Sequence, residues 1–266
     1  MLKDITLGQY LPLNSPLHRM DPRTKILGLI LLLVGVFTVE GSIGYGLMTA
    51  FVFFVMLLSR VPLKMYLRGL KPLWFIIIFT GLLNLFLTPG TTIYVNDYSL
   101  HITYEGAILA VKMAIRLILL IVSSAVLTYT TSPISLTDGI EKLLYPFTKI
   151  GLPAHELAMM MSIAIRFIPT LIEETEKISK AQQARGADFG SGGIIKRAKA
   201  LVPMLVPLFI SAFRRADELA VAMESRCYRG GAGRTRLHPI HFSLLDLWTG
   251  VVLVILITAI IVLRFV

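Results

Sequence analysis

Charged residues, cysteine and histidine are scarce in this chain of 266 residues. Only 16% of its residues are charged, and it contains one cysteine, Cys227, and five scattered histidines. A single cysteine excludes an intramolecular disulfide, and it excludes a zinc or iron–sulfur site built on cysteine ligands from this chain alone. The pattern G-x-x-x-x-G-K-[ST] is also missing. We therefore expect no ATP hydrolysis by a P-loop mechanism in this chain.

Apolar residues are abundant instead. They make up 55% of the chain, which is typical of a protein that crosses the membrane several times. The first apolar run starts at Ile26, behind a polar stretch and without an Ala-x-Ala cleavage pattern, so it predicts a retained span rather than a signal peptide. The net charge of +10 would suggest nucleic acid in a soluble chain. Membrane topology explains this charge better, and we expect no nucleic-acid partner.

Five apolar runs predict five transmembrane helices, at residues 26–39, 47–59, 72–88, 106–130 and 244–263. The first two are short, and flanking residues bring each to roughly the 17 residues that a thin bilayer requires. A polar break with three glycines, at residues 40–46, predicts a tight turn between these two helices. Between the third and fourth runs, β-forming residues flank Asn96-Asp97 in TTIYVNDYSLHITYE, which predicts a small extracellular β-hairpin.

Basic residues predict the orientation of these helices. Lys and Arg precede the first run and occur throughout the loop between the second and third runs. The loop between the first and second runs and the loop between the third and fourth runs contain neither residue. The positive-inside rule then places the N-terminus in the cytoplasm. We expect a membrane domain at residues 1–130, a cytoplasmic domain at residues 131–242 and a final transmembrane helix at residues 243–266.

The cytoplasmic domain is predicted to consist of helices. A short helix at residues 136–144 ends near Pro146 and Gly151, and a long helix covers residues 153–184. A second long helix contains the apolar stretch LVPMLVPLFISAF, and its prolines, like Pro169 in the first, should kink it. Apolar stretches of this length are too short to span a bilayer, so we expect them in the membrane interface or against a partner. The predicted fold class is thus an all-α membrane protein with long kinked cytoplasmic helices.

One short pattern ends both long helices. In AQQARGADFG, Ala184, Arg185 and Gly186 occupy the positions that Ser225, Arg226 and Cys227 occupy in AMESRCYRGG. For one copy, a simple helix C-terminus explains the pattern, since arginine favours the negative helix end and glycine accepts a left-handed turn. Two copies favour another interpretation. Small residues on both sides let a helix tip enter a groove, where the guanidinium can reach a carboxylate.

With these motifs the chain resembles the transmembrane T component of energy-coupling factor transporters, the importers of vitamins and metals that paired ABC-type ATPases drive. The resemblance rests on YLPLNSPLHRMDPRTK at residues 10–25, TTSPISL at 130–136, AIRFIP at 164–169 and the paired helix ends. It covers nearly the whole chain. Ser225-Arg226-Cys227 departs from the strict Ala-Arg-Gly form of the family, although both replacements are small.

The resemblance implies a coupling subunit in a bacterial or archaeal cell membrane. Arg185 and Arg226 would each insert into one of two ATPase subunits, which would bind the ATP, and the chain itself would need no cofactor. A membrane-embedded substrate-binding subunit would contact the apolar backs of the two helices. The residues that we assign to that contact are Met159, Met160, Met161, Leu205 and Phe209. The run of three methionines suits a surface that packs against several partners. Ordinary core packing explains the run about as well.

Other polar residues have simpler explanations. Lys112 and Arg116 share one face of the fourth span, where charges are functional candidates by default, but snorkelling and bonding within the bundle are the favoured explanation. Asp21-Pro22 is interpreted as the N-cap and first residue of a helix. His238 and His241 lack further metal ligands in the sequence.

A membrane enzyme that acts on lipid phosphates is the alternative from another class. Cytoplasmic arginines, including Arg185, Arg214 and Arg226, could clamp a phosphate group. Such an enzyme needs an acid–base pair, a nucleophile or a metal cluster nearby, and the nearest acidic residues show no metal-ligand spacing.

Overall fold

The computed structural model describes residues 9–89, 103–187, 193–231 and 241–265, whose regular elements are helices. The predicted all-α class is confirmed. Most of the predicted β-hairpin, at residues 91–105, lies outside the described residues, and its last two residues begin a helix. The ten α-helices of these described residues, in chain order, are α1 Pro16–Arg19, α2 Pro22–Thr38, α3 Gly41–Ser59, α4 Leu63–Leu70, α5 Trp74–Leu87, α6 Tyr104–Thr130, α7 Pro133–Leu144, α8 Ala154–Ala184, α9 Ile194–Ser225 and α10 Leu244–Phe265.

Five helical segments of the described chain are long and apolar enough to cross a membrane: Gly41–Ser59, Leu63–Leu87, Tyr104–Thr130, Ala154–Ala184 and Leu244–Leu263. The expected number is therefore confirmed, but the set differs from the prediction in two places. Helix α2, the first predicted span, has 17 residues and is not among the five. Helix α8 is among the five because the whole helix has 31 residues, many more than its apolar stretch, which on its own is too short to span a bilayer.

Two helix boundaries differ from the sequence prediction. The break between α2 and α3 is narrower than residues 40–46, because α3 already begins at Gly41, whose φ is +77°, and includes Gly44 and Gly46. In an apolar environment an unpaired backbone group is so unfavourable that glycine stays helical. At the third predicted span, Pro72 lies in the 3₁₀ turn Lys71–Leu73, which joins α4 to α5.

The chain divides into two compact units, one within Ile140–His238 and the other comprising Gly8–Gly139 and Pro239–Val266. The core of the second unit lies among α2, α3, α6 and α10, and Met48, at 0% exposure, lies at its centre. Helices α5 and α6 approach closely at Gly106, where an added Cβ would lie 2.8 Å from the carbonyl oxygen of Asn84. Small residues at such crossings let membrane helices pack through their backbones.

The buried carboxylate of Asp246 joins the starts of α2 and α10. Asp21 caps α2, as the sequence predicted, by accepting a hydrogen bond from the backbone N–H of Arg23 at 2.8 Å. The Asp21 N–H in turn donates to Oδ1 of Asp246 at 2.9 Å, and the other Asp246 oxygen accepts from Ser243 N at 2.7 Å. Asp246 is 3% exposed. One side chain thus satisfies the N-terminus of α10 and fixes the residue that begins α2.

The N-terminal stretch that carried part of the resemblance is also tied down by side chains. The carbonyl oxygen of Leu11 can only accept, so Nε2 of His18 donates to it at 2.9 Å. Nδ1 of His18 lies 2.7 Å from the Ser15 hydroxyl. Burial lowers the pKa of His18 below its usual value, which favours the neutral ring that can donate at one nitrogen and accept at the other.

Candidate functional site

Helix α8 ends in a Schellman motif with Arg185 as its C-cap. The N–H of Gly186 donates to the Gln183 carbonyl at 3.0 Å, and the N–H of Ala187 donates to the Gln182 carbonyl at 2.9 Å. Gly186 adopts the left-handed conformation that this motif needs, with φ at +88°. The hydrogen bonds occupy carbonyls that would otherwise lack partners at the helix end.

Helix α9 ends in the same way, 41 positions further along the chain. Arg226 is its C-cap, the N–H of Cys227 donates to the Glu224 carbonyl at 2.8 Å, and that of Tyr228 donates to the Met223 carbonyl at 3.0 Å. Cys227 stands at the left-handed position, with φ at +58°. The repeated hexapeptide, AQQARG at residues 181–186 and AMESRC at residues 222–227, therefore encodes two helix ends with the same pattern of backbone hydrogen bonds.

The two ends differ at one position. A left-handed backbone is free of strain for glycine, whereas a residue with a Cβ is roughly 1–2 kcal/mol less stable there. Gly186 has no Cβ and adopts this conformation without strain, whereas Cys227 adopts it with a Cβ. The departure from the strict family form that the sequence showed at Cys227 is thus a local strain at the second helix end.

Both guanidinium groups are available to a partner. Ala184, Arg185 and Gly186 are exposed, as are Ser225, Arg226 and Cys227. The ion pairs among the described residues include neither Arg185 nor Arg226. An exposed arginine between small residues can present its planar fork of donors to a carboxylate without steric hindrance.

Helices α8 and α9 pack against each other through a polar contact that the sequence analysis missed. Oε2 of Glu174 on α8 lies 3.1 Å from an Nη of Arg215 on α9, and the Ser211 hydroxyl donates to the other Glu174 oxygen. Both charged side chains are partly buried. A charge-assisted contact with a second donor fixes the register between the two helices.

A second contact joins the end of α8 to a proline-created gap in α9. Because Pro207 has no N–H, the Pro203 carbonyl four residues earlier lacks its helical donor. Nε2 of Gln182 donates to this carbonyl at 3.2 Å. Gln182 also supplies the backbone carbonyl that closes the Schellman motif of α8, so the first helix end is bonded directly to α9. The missing donor of Pro207 was the signal in the sequence that could have indicated this contact.

The chain that follows the second helix end folds back onto the start of α8. A Cβ added to Gly231 would lie 2.5 Å from Cδ2 of His155 and 2.9 Å from its Cβ. Nδ1 of His155 is 3.1 Å from Oε1 of Glu141. The His155 ring is therefore held on one side by a carboxylate and covered on the other by the backbone of Gly231, which leaves no room for a side chain at position 231.

The apolar residues that the resemblance assigned to a partner are mostly at the surface. Met160, Met161, Leu205 and Phe209 are exposed, and Met159 is half-buried. Phe209 is 60% exposed. Exposed apolar surface of this extent on α8 and α9 is typical of a contact with lipid or protein.

The remaining candidates from the sequence have separate environments. Arg116 donates to the Tyr45 hydroxyl at 2.7 Å, as expected for a charge that bonds within the bundle. His238 lies outside the described residues. Among the residues that are described, including His241, no group of three His, Cys, Asp or Glu side chains is arranged to hold a metal ion.

Taken together, apolar helices long enough to span a bilayer define a multi-pass membrane protein, in which two long helices end in the same way, each with an exposed arginine. A family model described as a cobalt transport protein, CbiQ, matches residues 13–238. The energy-coupling factor transporter transmembrane protein EcfT of Acidaminococcus fermentans is 55% identical over 256 residues, which cover 96% of this chain and 95% of the relative.

Proteins with the same name give similar matches. The one from Ruminiclostridium cellulolyticum is 53% identical over 266 residues, which cover 100% of this chain and 99% of the relative. The one from Thermosediminibacter oceani is 57% identical over 246 residues and covers 92% of both chains. The chain belongs to the family of transmembrane T components of energy-coupling factor transporters. The resemblance seen in the sequence is confirmed, and the alternative of a lipid-phosphate enzyme is not supported.

Proposed function

We propose that this T component couples ATP hydrolysis by two partner ATPases to the reorientation of a membrane-embedded substrate-binding subunit. The observation that carries the proposal is the pair of Schellman ends, each with an exposed arginine between small residues. Two similar ends suit two similar sockets, and a dimer of ABC-type ATPases offers them. The ATP is bound and hydrolysed by the partners, and this chain contributes no catalytic residue and no cofactor site.

Arg185 and Arg226 are the residues that enter the two ATPase sockets in this proposal. Each would pair with acidic groups there, and closure of the ATPases on ATP would move the two helix ends relative to each other. The contacts of Glu174 with Arg215 and of Gln182 with the Pro203 carbonyl support this role, because they join α8 to α9 and can pass a displacement of one helix to the other.

The apolar surface of the same helices is proposed to hold the substrate-binding subunit. Met160, Met161, Leu205 and Phe209, with the half-buried Met159, form the part of this surface that the sequence singled out. The N-terminus and residues 131–242 would then be cytoplasmic, consistent with the distribution of Lys and Arg. Helix α8 is also long and apolar enough to span a membrane. The proposal therefore requires that the residues of α8 be accessible from the cytoplasmic side.

Co-purification of the complex from its native membrane tests the role of the arginines. Removing one partner of a buried, hydrogen-bonded charge pair costs about 2–5 kcal/mol, so Arg185→Glu and Arg226→Glu should each release most of the bound ATPase. Arg214→Glu is the matched control, because Arg214 is exposed on α9 and its ion pair among the described residues is with the exposed Glu218. Arg185→Lys keeps the charge but loses the fork and should give an intermediate result. Retention of both ATPases and of uptake in the Arg185→Glu, Arg226→Glu double variant would refute the proposal.

A further inference from the structure

A groove lies between α3 and α6, away from the two helix ends. It has a volume of about 850 Å³ and is lined by small, hydroxyl and apolar residues of both helices: Ser42, Tyr45, Gly46, Thr49, Ala50 and Phe53 on α3, and Ala107, Ile108, Val111, Lys112 and Ile115 on α6. Lys112 is the one charged residue among them. Phe53 and Val111 are more than half exposed, so the groove opens along the apolar surface of two membrane helices.

The position of Lys112 along α6 brings its amine to the edge of the hydrocarbon layer. Helix α6 has 27 residues, which corresponds to about 40 Å against a hydrocarbon thickness of about 30 Å. With the helix centred in the bilayer, the Lys112 Cα lies about 8 Å from the midplane. A lysine side chain that extends towards the start of α6 can carry its ammonium group about 6 Å further, to the edge of the hydrocarbon layer and next to the lipid headgroups.

Lys112 has no partner of opposite charge in the described part of the chain. None of the ion pairs found there includes it, and no carboxylate lines the groove. An ammonium group that lies within the hydrocarbon layer without a counter-charge is unfavourable. The groove therefore favours an occupant that brings a negative charge.

Arg116, one turn deeper, adds a second cation to the same face. Its Nη2 donates to the Tyr45 hydroxyl, which lines the groove, while its buried Nε has no hydrogen-bond partner among the described residues. The guanidinium also lies over the Tyr45 ring, with 5.8 Å between Cζ and the centroid. Arg116 thus raises the positive potential beneath Lys112, and its hydrogen bond fixes the ring of Tyr45, a residue of the groove wall.

We propose that this groove binds one anionic phospholipid, with its phosphate on Lys112 and one acyl chain along the apolar wall formed by Phe53, Ile108 and Val111. A phospholipid fits the observations better than an acidic protein segment does, because the walls are apolar and open to the hydrocarbon, and the charge reaches the edge of the hydrocarbon layer, next to the lipid headgroups. Ser42, which is exposed at the start of α3, can donate a hydrogen bond to a phosphate oxygen from the α3 side. The inference does not depend on the coupling role of Arg185 and Arg226.

The test is native mass spectrometry of the full chain released from nanodiscs that contain equal amounts of phosphatidylcholine and phosphatidylglycerol. We expect one retained phosphatidylglycerol on the wild type. Lys112→Gln should lower its enrichment over phosphatidylcholine about fivefold, the effect of one lysine near a charged lipid surface. Lys112→Arg should retain the enrichment. Lys64→Gln is the matched control, since Lys64 lies exposed on α4 and outside the groove, and it should behave as the wild type.

Three results would overturn the proposal. The first is equal retention of the two lipids by the wild type, a comparison that needs no variant to fold. The second is displacement of the bound species by excess inorganic phosphate, which would indicate a site for the free anion. The third is a Lys112→Gln variant that keeps the lipid but loses the substrate-binding subunit during co-purification, which would assign the groove to a protein partner.

Discussion

Replacing Cys227 with glycine should stabilise the second helix end. Cys227 has φ at +58°, a conformation that disfavours any residue with a Cβ by roughly 1–2 kcal/mol and leaves glycine unstrained. After allowance for the greater freedom of glycine in the opened state, we expect a gain of about 1 kcal/mol, or about a fivefold lower population of the frayed end. The reciprocal change, Gly186→Ala, should destabilise the first end by a similar amount. Steric hindrance is not the reason at position 186, because none of the described residues places an atom within 4 Å of an added Cβ.

Amide hydrogen exchange of the purified chain measures this effect. The informative amides are those of Tyr228 and Ala187, which close the two Schellman motifs. In Cys227→Gly the Tyr228 amide should exchange about fivefold more slowly, and in Gly186→Ala the Ala187 amide should exchange faster by a similar factor. Cys227→Ala is the matched control, because it removes the thiol and keeps the Cβ. If Cys227→Ala slows exchange as much as Cys227→Gly does, the backbone argument is wrong.

Two further predictions concern packing in each unit. Gly231→Ala should destabilise the contact with His155 by about 1–3 kcal/mol, because the added methyl group overlaps the imidazole ring and the Cβ of His155. Gly193→Ala is the control, since no atom of the described residues lies within 4 Å of a Cβ added there. Gly231→Ala should have the lower thermal midpoint, and equal midpoints of the two variants would contradict the prediction. Asp246→Ala leaves two backbone amides without their acceptor, at about 1–3 kcal/mol each, and should lower the thermal midpoint in detergent by more than Asp246→Asn, which keeps one oxygen. A stable Asp246→Ala variant would show that this carboxylate does not hold the starts of α2 and α10 together.

The sequence predicted the helices well because their signals are local. Asp21-Pro22 marks the start of α2, and the arginine-glycine end of α8 falls where the structure places it. The glycines at positions 44 and 46 misled the prediction, since glycine usually breaks helices in water, whereas an apolar environment enforces backbone hydrogen bonding. The extent of α8 matches the predicted residues 153–184, and the difference is that the whole helix, and not its apolar stretch alone, is long and apolar enough to cross a membrane.

The site was predictable only in part. The matching helix ends follow from the repeated hexapeptide, and the left-handed backbone at Cys227 follows from its alignment with Gly186 and not from any preference of cysteine. The contact of Glu174 with Arg215 joins residues 41 positions apart, and its existence depends on the register between two helices. Single-sequence periodicity gives the faces of a helix but not the partner that each face meets, so this contact could not be found without the structure.

The strained residue at the second helix end is also the only thiol in the chain, and it is exposed. A maleimide or spin label would therefore attach to this protein at one defined place, with no cysteine to remove beforehand. That place lies one residue after Arg226, next to the group proposed to enter the ATPase. The native protein thus carries its own reporter position, from which alkylation rates or distances to a labelled partner can be followed through the transport cycle.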